Sequence, residues 1–263
     1  MRARLGQHFL TNTAKIDQII DALEIETHDT ILEIGPGHGE LTKELLKHQD
    51  VKILAIEKDP KLVSRIKYLV SSNLEIIEGD ALKILSTLNT KYKIPNTGYK
   101  LLGNIPYYIT GKLLRILGEL ERKPKLIVLT IQKEVAERIC ATPGKMNLLA
   151  AATQFWAKPK IVDFVSKKDF FPPPEVDSAI IKLETREQKT GNREQKNKNA
   201  FDYYKFIKIL FRQPRKTILN NLSALKSKKE ISIVLKKLKI NPGARPQDLS
   251  IDIIKGASSL LAY

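Results

Sequence analysis

Apolar runs alternating with helical patterns predict an α/β protein: a parallel, doubly wound sheet followed by a small all-helical C-terminal domain. Three observations carry that expectation. The runs Thr30–Ile34, Lys52–Ile56, Leu74–Ile77, Tyr99–Leu102 and Leu126–Ile131 are short, aliphatic and separated by stretches of helical character. A glycine-rich turn, Gly35-Pro36-Gly37-His38-Gly39, joins the first run to apolar residues at helical spacing, Leu41, Leu45 and Leu46. After Glu184 the chain turns polar, and from Phe201 onward it reads as helix alone. The expected division is a sheet domain over residues 1–184, a polar linker or loop over 185–200 and a helical domain over 201–263.

Charge narrows the partners. With 45 Lys/Arg against 29 Asp/Glu the formal net charge is +16. A field of that sign favours polyanions, nucleic acid first and an anionic membrane surface second. No run of 18 apolar residues offers a bilayer span, and Met1 to His8 lacks the apolar core of a signal peptide. Cys140 stands alone, which rules out an internal disulfide and fits a reducing cytoplasm. His8, His28, His38 and His48 show no metal-ligand spacing, so no metal is expected.

A basic arm, Arg2 to Leu10, leads into a helix expected over Lys15–Leu23 with Asn12 or Thr13 as its cap. The glycine turn that follows the first strand is a nucleotide-binding unit, because Gly35 and Gly37 let backbone approach a ligand where side chains would clash. Its spacing is G-x-G-x-G rather than the dinucleotide G-x-G-x-x-G. That tilts the reading towards a Rossmann-like site for S-adenosylmethionine, which has no pyrophosphate to seat. Glu57, at the end of the second strand, is placed to accept from ribose hydroxyls. Asp80, followed by Ala81 at the end of the third, is placed to accept from an adenine amine.

The segment Leu102-Gly103-Asn104-Ile105-Pro106-Tyr107-Tyr108 falls at a strand-to-helix junction, the edge where such sheets place their chemistry. Asn104 offers an amide oxygen, and Pro106 biases Ile105 towards an extended conformation that turns carbonyls outward. Tyr107 supplies a flat ring. An exocyclic amine can give its hydrogens to Asn104 and the Ile105 carbonyl while its base stacks on Tyr107.

Later elements are a helix over Lys112–Leu120, another beginning at Gln132–Ile139 and a buried one within Met146–Ala157. Two final strands, Lys160–Val165 and Ser178–Leu183, are joined by Phe170-Phe171-Pro172-Pro173-Pro174-Glu175-Val176-Asp177. The prolines stiffen this crossover and hold Phe170 or Phe171 at the sheet edge, as a second face opposite Tyr107. Residues 201–263 carry 13 Lys/Arg against 4 Asp/Glu, more than half of the chain's excess charge. Arg212, Arg215, Lys216, Lys226, Lys228 and Lys229 are the densest basic positions there, and the expected phosphate contacts.

Taken in order, Leu5-Gly6-Gln7-His8-Phe9-Leu10, Glu33 to Gly39, Asn104-Ile105-Pro106-Tyr107, Gln132 to Ala136, Phe170 to Ser178, Arg215-Lys216-Thr217 and Arg245 to Ser250 resemble the KsgA-type ribosomal RNA adenine dimethyltransferases. That group shares a lineage with the Erm methylases. The resemblance covers nearly the whole chain. It implies an S-adenosylmethionine-dependent enzyme that dimethylates N6 of two adjacent adenosines in the 3′-terminal hairpin loop of small-subunit rRNA, with a role in subunit biogenesis. It implies that His8, Leu10, Gly35, Glu57, Asp80 and Asn104 line the methyl-donor site, and that Tyr107 and Phe170 sandwich the adenine. It also implies a cytoplasmic monomer acting on rRNA or the assembling subunit. The chain departs from the family at His8, where Asn is common, and at Tyr108, where a small polar residue is usual. The competing expectations are an Erm-like methylase of large-subunit RNA, an assembly factor without turnover and a DNA adenine methylase. The C-terminal motifs weigh against the first and last of these.

Overall fold

The computed structural model describes residues 7–69, 71–85, 98–186 and 193–261. Residues 2–6 of the basic arm and the polar stretch 187–192 lie outside that set. Two compact units emerge: residues up to Ala136 together with Lys158–Thr185, and Glu137–Ala157 together with Arg186 onward.

The first unit begins with β1 (Phe9–Leu10) and α1 (Thr13–Ala22). It continues through β2 (Thr30–Ile34), α2 (Glu40–Leu45), β3 (Lys52–Glu57), α3 (Pro60–Ile66), β4 (Leu74–Glu78), α4 (Ala81–Ile84), β5 (Lys100–Asn104), α5 (Thr110–Glu119), β6 (Leu126–Gln132) and α6 (Lys133–Ile139), which crosses the unit boundary. β7 (Ala157–Val165), β8 (Phe170–Phe171) and β9 (Ser178–Thr185) complete it. Seven strands share one sheet in the order β4-β3-β2-β5-β6-β9-β7. All five residues of β2 are buried, as a strand covered on both faces requires. The helices start where local chemistry satisfies their free N–H groups. Asn12 accepts from Lys15 N at α1, Asp59 from Lys61 N at α3 and Asp80 from Leu82 N at α4.

The sheet departs from the parallel arrangement expected. β2 to β6 are mutually parallel, but β9 runs antiparallel to β6, from Leu126 opposite Glu184 to Gln132 opposite Ser178. The reason lies in the connection from β7 to β9. It holds prolines, a 3-10 turn and the two residues of β8, and no α-helix to carry a crossover. β8 leaves the main sheet to pair antiparallel with β1, with Phe9 opposite Phe171 and Leu10 opposite Phe170. Leu10 and Phe170 then enter the core with Ile16, Ile19, Leu41, Val128 and Ile180.

The second unit is helical: α7 (Leu148–Gln154), α8 (Arg193–Leu210), α9 (Ile218–Leu222), α10 (Lys228–Lys237) and α11 (Ile251–Leu261). Its division from the sheet differs from the expected one in two ways. Met146, Ala150 and Ala151 share a core with Tyr203, Phe206, Leu210, Ile231 and Ile254, so residues 137–157 pack with the helical unit. Tyr203 Oη donates to the Ala151 carbonyl at 2.9 Å, and the Phe155 and Tyr203 rings stack at 4.0 Å. The expected linker over 185–200 is partly helix, since α8 starts at Arg193. Polar composition hid that start, because the apolar residues that anchor α8 lie further along, at Tyr203, Phe206 and Leu210. Among the described residues, no helix is long and apolar enough to cross a membrane.

Candidate active site

The order β3-β2-β5 reverses direction at β2, so a crevice opens beyond its carboxyl end. The glycine turn leaves β2 at that point. Gly35 N–H donates to the Ile56 carbonyl at 2.9 Å, and Gly39 N–H donates to Pro36 at 2.8 Å, which closes the turn into α2. Gly35 and Gly37 both take left-handed φ, +67° and +62°. A Cβ on Gly35 would meet nothing within 4 Å and would project into open space. One on Gly37 would lie 2.9 Å from the Phe9 ring. Phe9 in turn stacks on His38 at 3.9 Å with planes 16° apart. Replacing Gly37 with alanine is therefore expected to cost about 1–2 kcal/mol of backbone strain and to push Phe9 off His38. Urea denaturation measures the loss.

The cleft so formed is lined by Gln7, His8, Phe9, Gly35, Gly37, Glu57, Asn104, Ile105, Pro106, Tyr107 and Phe170. Strands far apart in sequence bring these residues together. Glu57 is buried at the end of β3, and its carboxylate is held by backbone. Oε1 accepts from Lys58 and Asp59 N–H at 2.7 and 2.9 Å, and Oε2 accepts from Gly37 N–H at 3.2 Å. A carboxylate has about four acceptor positions, so one remains for a ligand hydroxyl.

Asn104 ends β5 with its amide orientation set. Nδ2 lies 2.7 Å from the His8 carbonyl, which can only accept, so nitrogen faces His8 and Oδ1 is the atom left for a ligand. His8 is anchored in turn: Nδ1 donates to the Pro172 carbonyl at 2.7 Å. Ile105 N–H is tied to the Thr130 carbonyl at 3.1 Å, which fixes the strand end beside Asn104. The Tyr107 hydroxyl meets Ser178 Oγ at 2.8 Å, and its ring lies 6.0 Å from that of His8. Burial raises the Tyr107 phenol pKa, slightly opposed by Ser178, so the ring stays neutral.

Three expected site residues are not on this lining. Leu10 points into the core. Asp80 caps α4 and meets Lys58 Nζ at 3.1 Å, and Ala81 is buried behind it. Burial pushes the Asp80 carboxyl up, but Lys58 and the Leu82 N–H outweigh it and hold the carboxyl below its ordinary range. Phe170 does reach the cleft, although it is only 4% exposed and belongs largely to the core. Gln7 and Phe9 line the cleft without having been singled out. Both lie in the Leu5–Leu10 motif, and the need for a bare Gly37 beneath an aromatic ring was the missing signal. In the second unit Arg212, Arg215, Lys216, Lys228 and Lys229 are exposed, and Lys226 is half-buried.

Residues 1–261 match the family model described as ribosomal RNA adenine dimethylase. The chain belongs to this family. Among its relatives, the ribosomal RNA small subunit methyltransferase A of Dehalococcoides mccartyi is 38% identical over 258 residues, 96% of this chain and 86% of the relative. The protein of that name from Mycoplasma capricolum is 39% identical over 254 residues, 94% of this chain and 92% of the relative. A dimethyladenosine transferase from Plasmodium falciparum superposes with a TM-score of 0.74 at 30% identity, covering 95% of this chain and 96% of that one. The 23S rRNA methyltransferase ErmE has a TM-score of 0.75 at 23% identity, over 97% and 100% of the two chains, and shares the fold. In this member of the family Asn104, Tyr107, Gly35 and Gly37 line one cleft.

Proposed function

We propose that this chain is an rRNA adenine N6,N6-dimethyltransferase that uses S-adenosylmethionine to modify two adjacent adenosines in the 3′-terminal loop of small-subunit rRNA. The observation that carries the reading is the Asn104 amide, turned by the His8 carbonyl so that Oδ1 is free for an amine at the rim of a glycine-lined cleft. The cleft fits the methyl donor. Gly35 leaves room where a nucleoside would lie, and Glu57 keeps an acceptor for its hydroxyls. Gly37, His8 and Asn104 would complete that side, with Leu10 supporting it from the core. Asp80 and Ala81 would serve the donor's adenine beyond Glu57, with Asp80 shared between the ligand and Lys58.

When bound, S-adenosylmethionine supplies an electrophilic methyl group with a neutral thioether as leaving group. The rest falls to the protein. An adenine amine is a poor nucleophile because its lone pair is delocalised into the ring. In the first transfer Asn104 Oδ1 and the Ile105 carbonyl would accept its two hydrogens, and in the second one of them would accept the hydrogen that remains, each time favouring a pyramidal nitrogen with the lone pair free for in-line attack. Attack by the nitrogen on the donor's methyl would leave a neutral thioether, and the nitrogen would then give one proton to water. No strong base is required. Pro106 keeps the rim rigid, while Tyr107 and the exposed part of Phe170 hold the base flat. Extruding the base costs a few kcal/mol, which stacking offsets in part.

Arg212, Arg215, Lys216, Lys226, Lys228 and Lys229 would bind phosphates. The turn bearing the first three is held by buried Asn221. Asn221 Oδ1 accepts from Gln213 N–H at 3.1 Å, and Nδ2 faces the carbonyls of Gln213, Lys216 and Thr217 at 3.0–3.3 Å. Asn221→Ala is expected to destabilise the helical unit by about 1–3 kcal/mol and to weaken rRNA affinity. Thermal melting and filter binding read the two effects.

The deciding test is transfer of tritiated methyl groups to purified subunits that lack the modification. Label recovered as N6,N6-dimethyladenosine in small subunits supports the proposal. Label on large subunits, or none, overturns it.

A further inference from the structure

Each aromatic residue assigned to the base pocket is followed in the chain by an exposed aromatic residue that the mechanism does not use. Tyr108 follows Tyr107 and is 64% exposed, and Phe171 follows Phe170 and is 71% exposed. Exposed apolar surface grouped beside a cleft, unlike single rings scattered over a surface, marks an interaction site. Tyr108 sits in the 3-10 turn Tyr107–Ile109, which continues the Asn104–Pro106 rim. Phe171 stands directly opposite Phe9 in the two-stranded ribbon, so the two rings share one side of it, and Phe9 lines the cleft. Tyr108 thus continues the rim that carries Tyr107, and Phe171 adjoins the Phe9 wall of the cleft across the ribbon.

The surrounding charge has the sign that RNA requires. Lys58 Nζ reaches Asp80 at 3.1 Å, and this ion pair holds the ammonium charged. Lys167 and Lys168, which Asp169 separates from the ribbon strand that carries Phe171, are exposed. Exposed rings interleaved with lysines match an unpaired nucleotide strand, whose bases stack while its phosphates meet cations.

We propose that Tyr108 and Phe171 form an outer aromatic shelf that stacks the unpaired bases on either side of the target adenosine. The shelf holds the strand while the target base occupies the pocket behind it. When one of two adjacent adenosines is in the pocket, the other is one of the bases on the shelf. This inference rests on the proposed RNA substrate and extends it to the neighbouring nucleotides.

The test measures equilibrium binding of small subunits lacking the modification, alongside methyl transfer, for wild type, Tyr108→Ala, Tyr108→Phe and Phe171→Ala. Each alanine variant is expected to raise Kd and KM for subunits about tenfold with kcat little changed, and Tyr108→Phe to restore wild-type values. Calorimetric affinity for S-adenosylmethionine is expected to stay the same in all four proteins. Unchanged subunit Kd in both alanine variants overturns the shelf. So does a Tyr108→Phe variant as weak as the alanine, which would assign the effect to the hydroxyl. Transfer by the wild type tests the enzymatic reading separately, because the Kd comparison needs no turnover.

Discussion

Asn104→Ala is expected to lower methyl transfer by roughly a hundred- to a thousandfold while leaving subunit affinity near that of the wild type. The side chain meets two partners with its two ends. Nδ2 is engaged by the His8 carbonyl, and Oδ1 is the acceptor proposed for the amine. Removing both ends deletes an interaction that strengthens only as the nitrogen becomes pyramidal, so the loss falls on kcat rather than on binding. Asn104→Asp separates the two contributions. It keeps an acceptor but places a carboxylate oxygen 2.7 Å from the His8 carbonyl, where two acceptors repel. Activity is expected to fall almost as far as in alanine. Single-turnover transfer to unmodified small subunits reads both variants, and substantial turnover in Asn104→Ala would remove Asn104 from the mechanism.

Much of this site was legible in the sequence, because its parts are strand ends and strand ends are marked by composition. Ile34 into Gly35, Ile56 into Glu57 and Leu102 into Asn104 each show an apolar run breaking into a residue with a distinct task. β2 was read with its observed limits, Thr30–Ile34, since a fully buried strand leaves a continuous apolar signature. The direction of β9 was not legible, because periodicity within a strand says nothing about which neighbour it will join. Nor was the partner of α7. Met146, Ala150 and Ala151 announce burial, but not that Tyr203 and Phe206 cover them. The two phenylalanines illustrate the same limit. Phe170 and Phe171 are adjacent and chemically identical, and only pairing with β1 sends one into the core and leaves the other in solvent.

Glu33→Gln is expected to flatten the pH dependence of stability, and the sign follows from where the carboxyl lies. Glu33 is on β2, two residues before Gly35, with 1% of its surface exposed. Thr42 Oγ1 donates to Oε2 at 2.7 Å, while Oε1 is buried with no partner among the described residues. Burial pushes its pKa up from 4.5 to about 8, against the Thr42 hydrogen bond and with help from the charges of Glu40 and Glu57. The folded chain thus retains a proton that the unfolded chain releases near 4.5. This contribution is complete below that pH and is lost as pH rises towards 8, by roughly 4 kcal/mol for a shift of this size. Glutamine keeps an oxygen for Thr42 and has no proton to lose, so its stability should exceed that of the wild type progressively from pH 5 to pH 9. Urea denaturation of both proteins across that range isolates Glu33, since the other titrating groups are common to the pair. Parallel curves would mean that Glu33 is ionised in the fold. A neutral Glu33 leaves Glu57 as the carboxylate that lines the cleft, so its remaining acceptor, proposed for the ligand's hydroxyls, has no second buried negative charge behind the glycine turn.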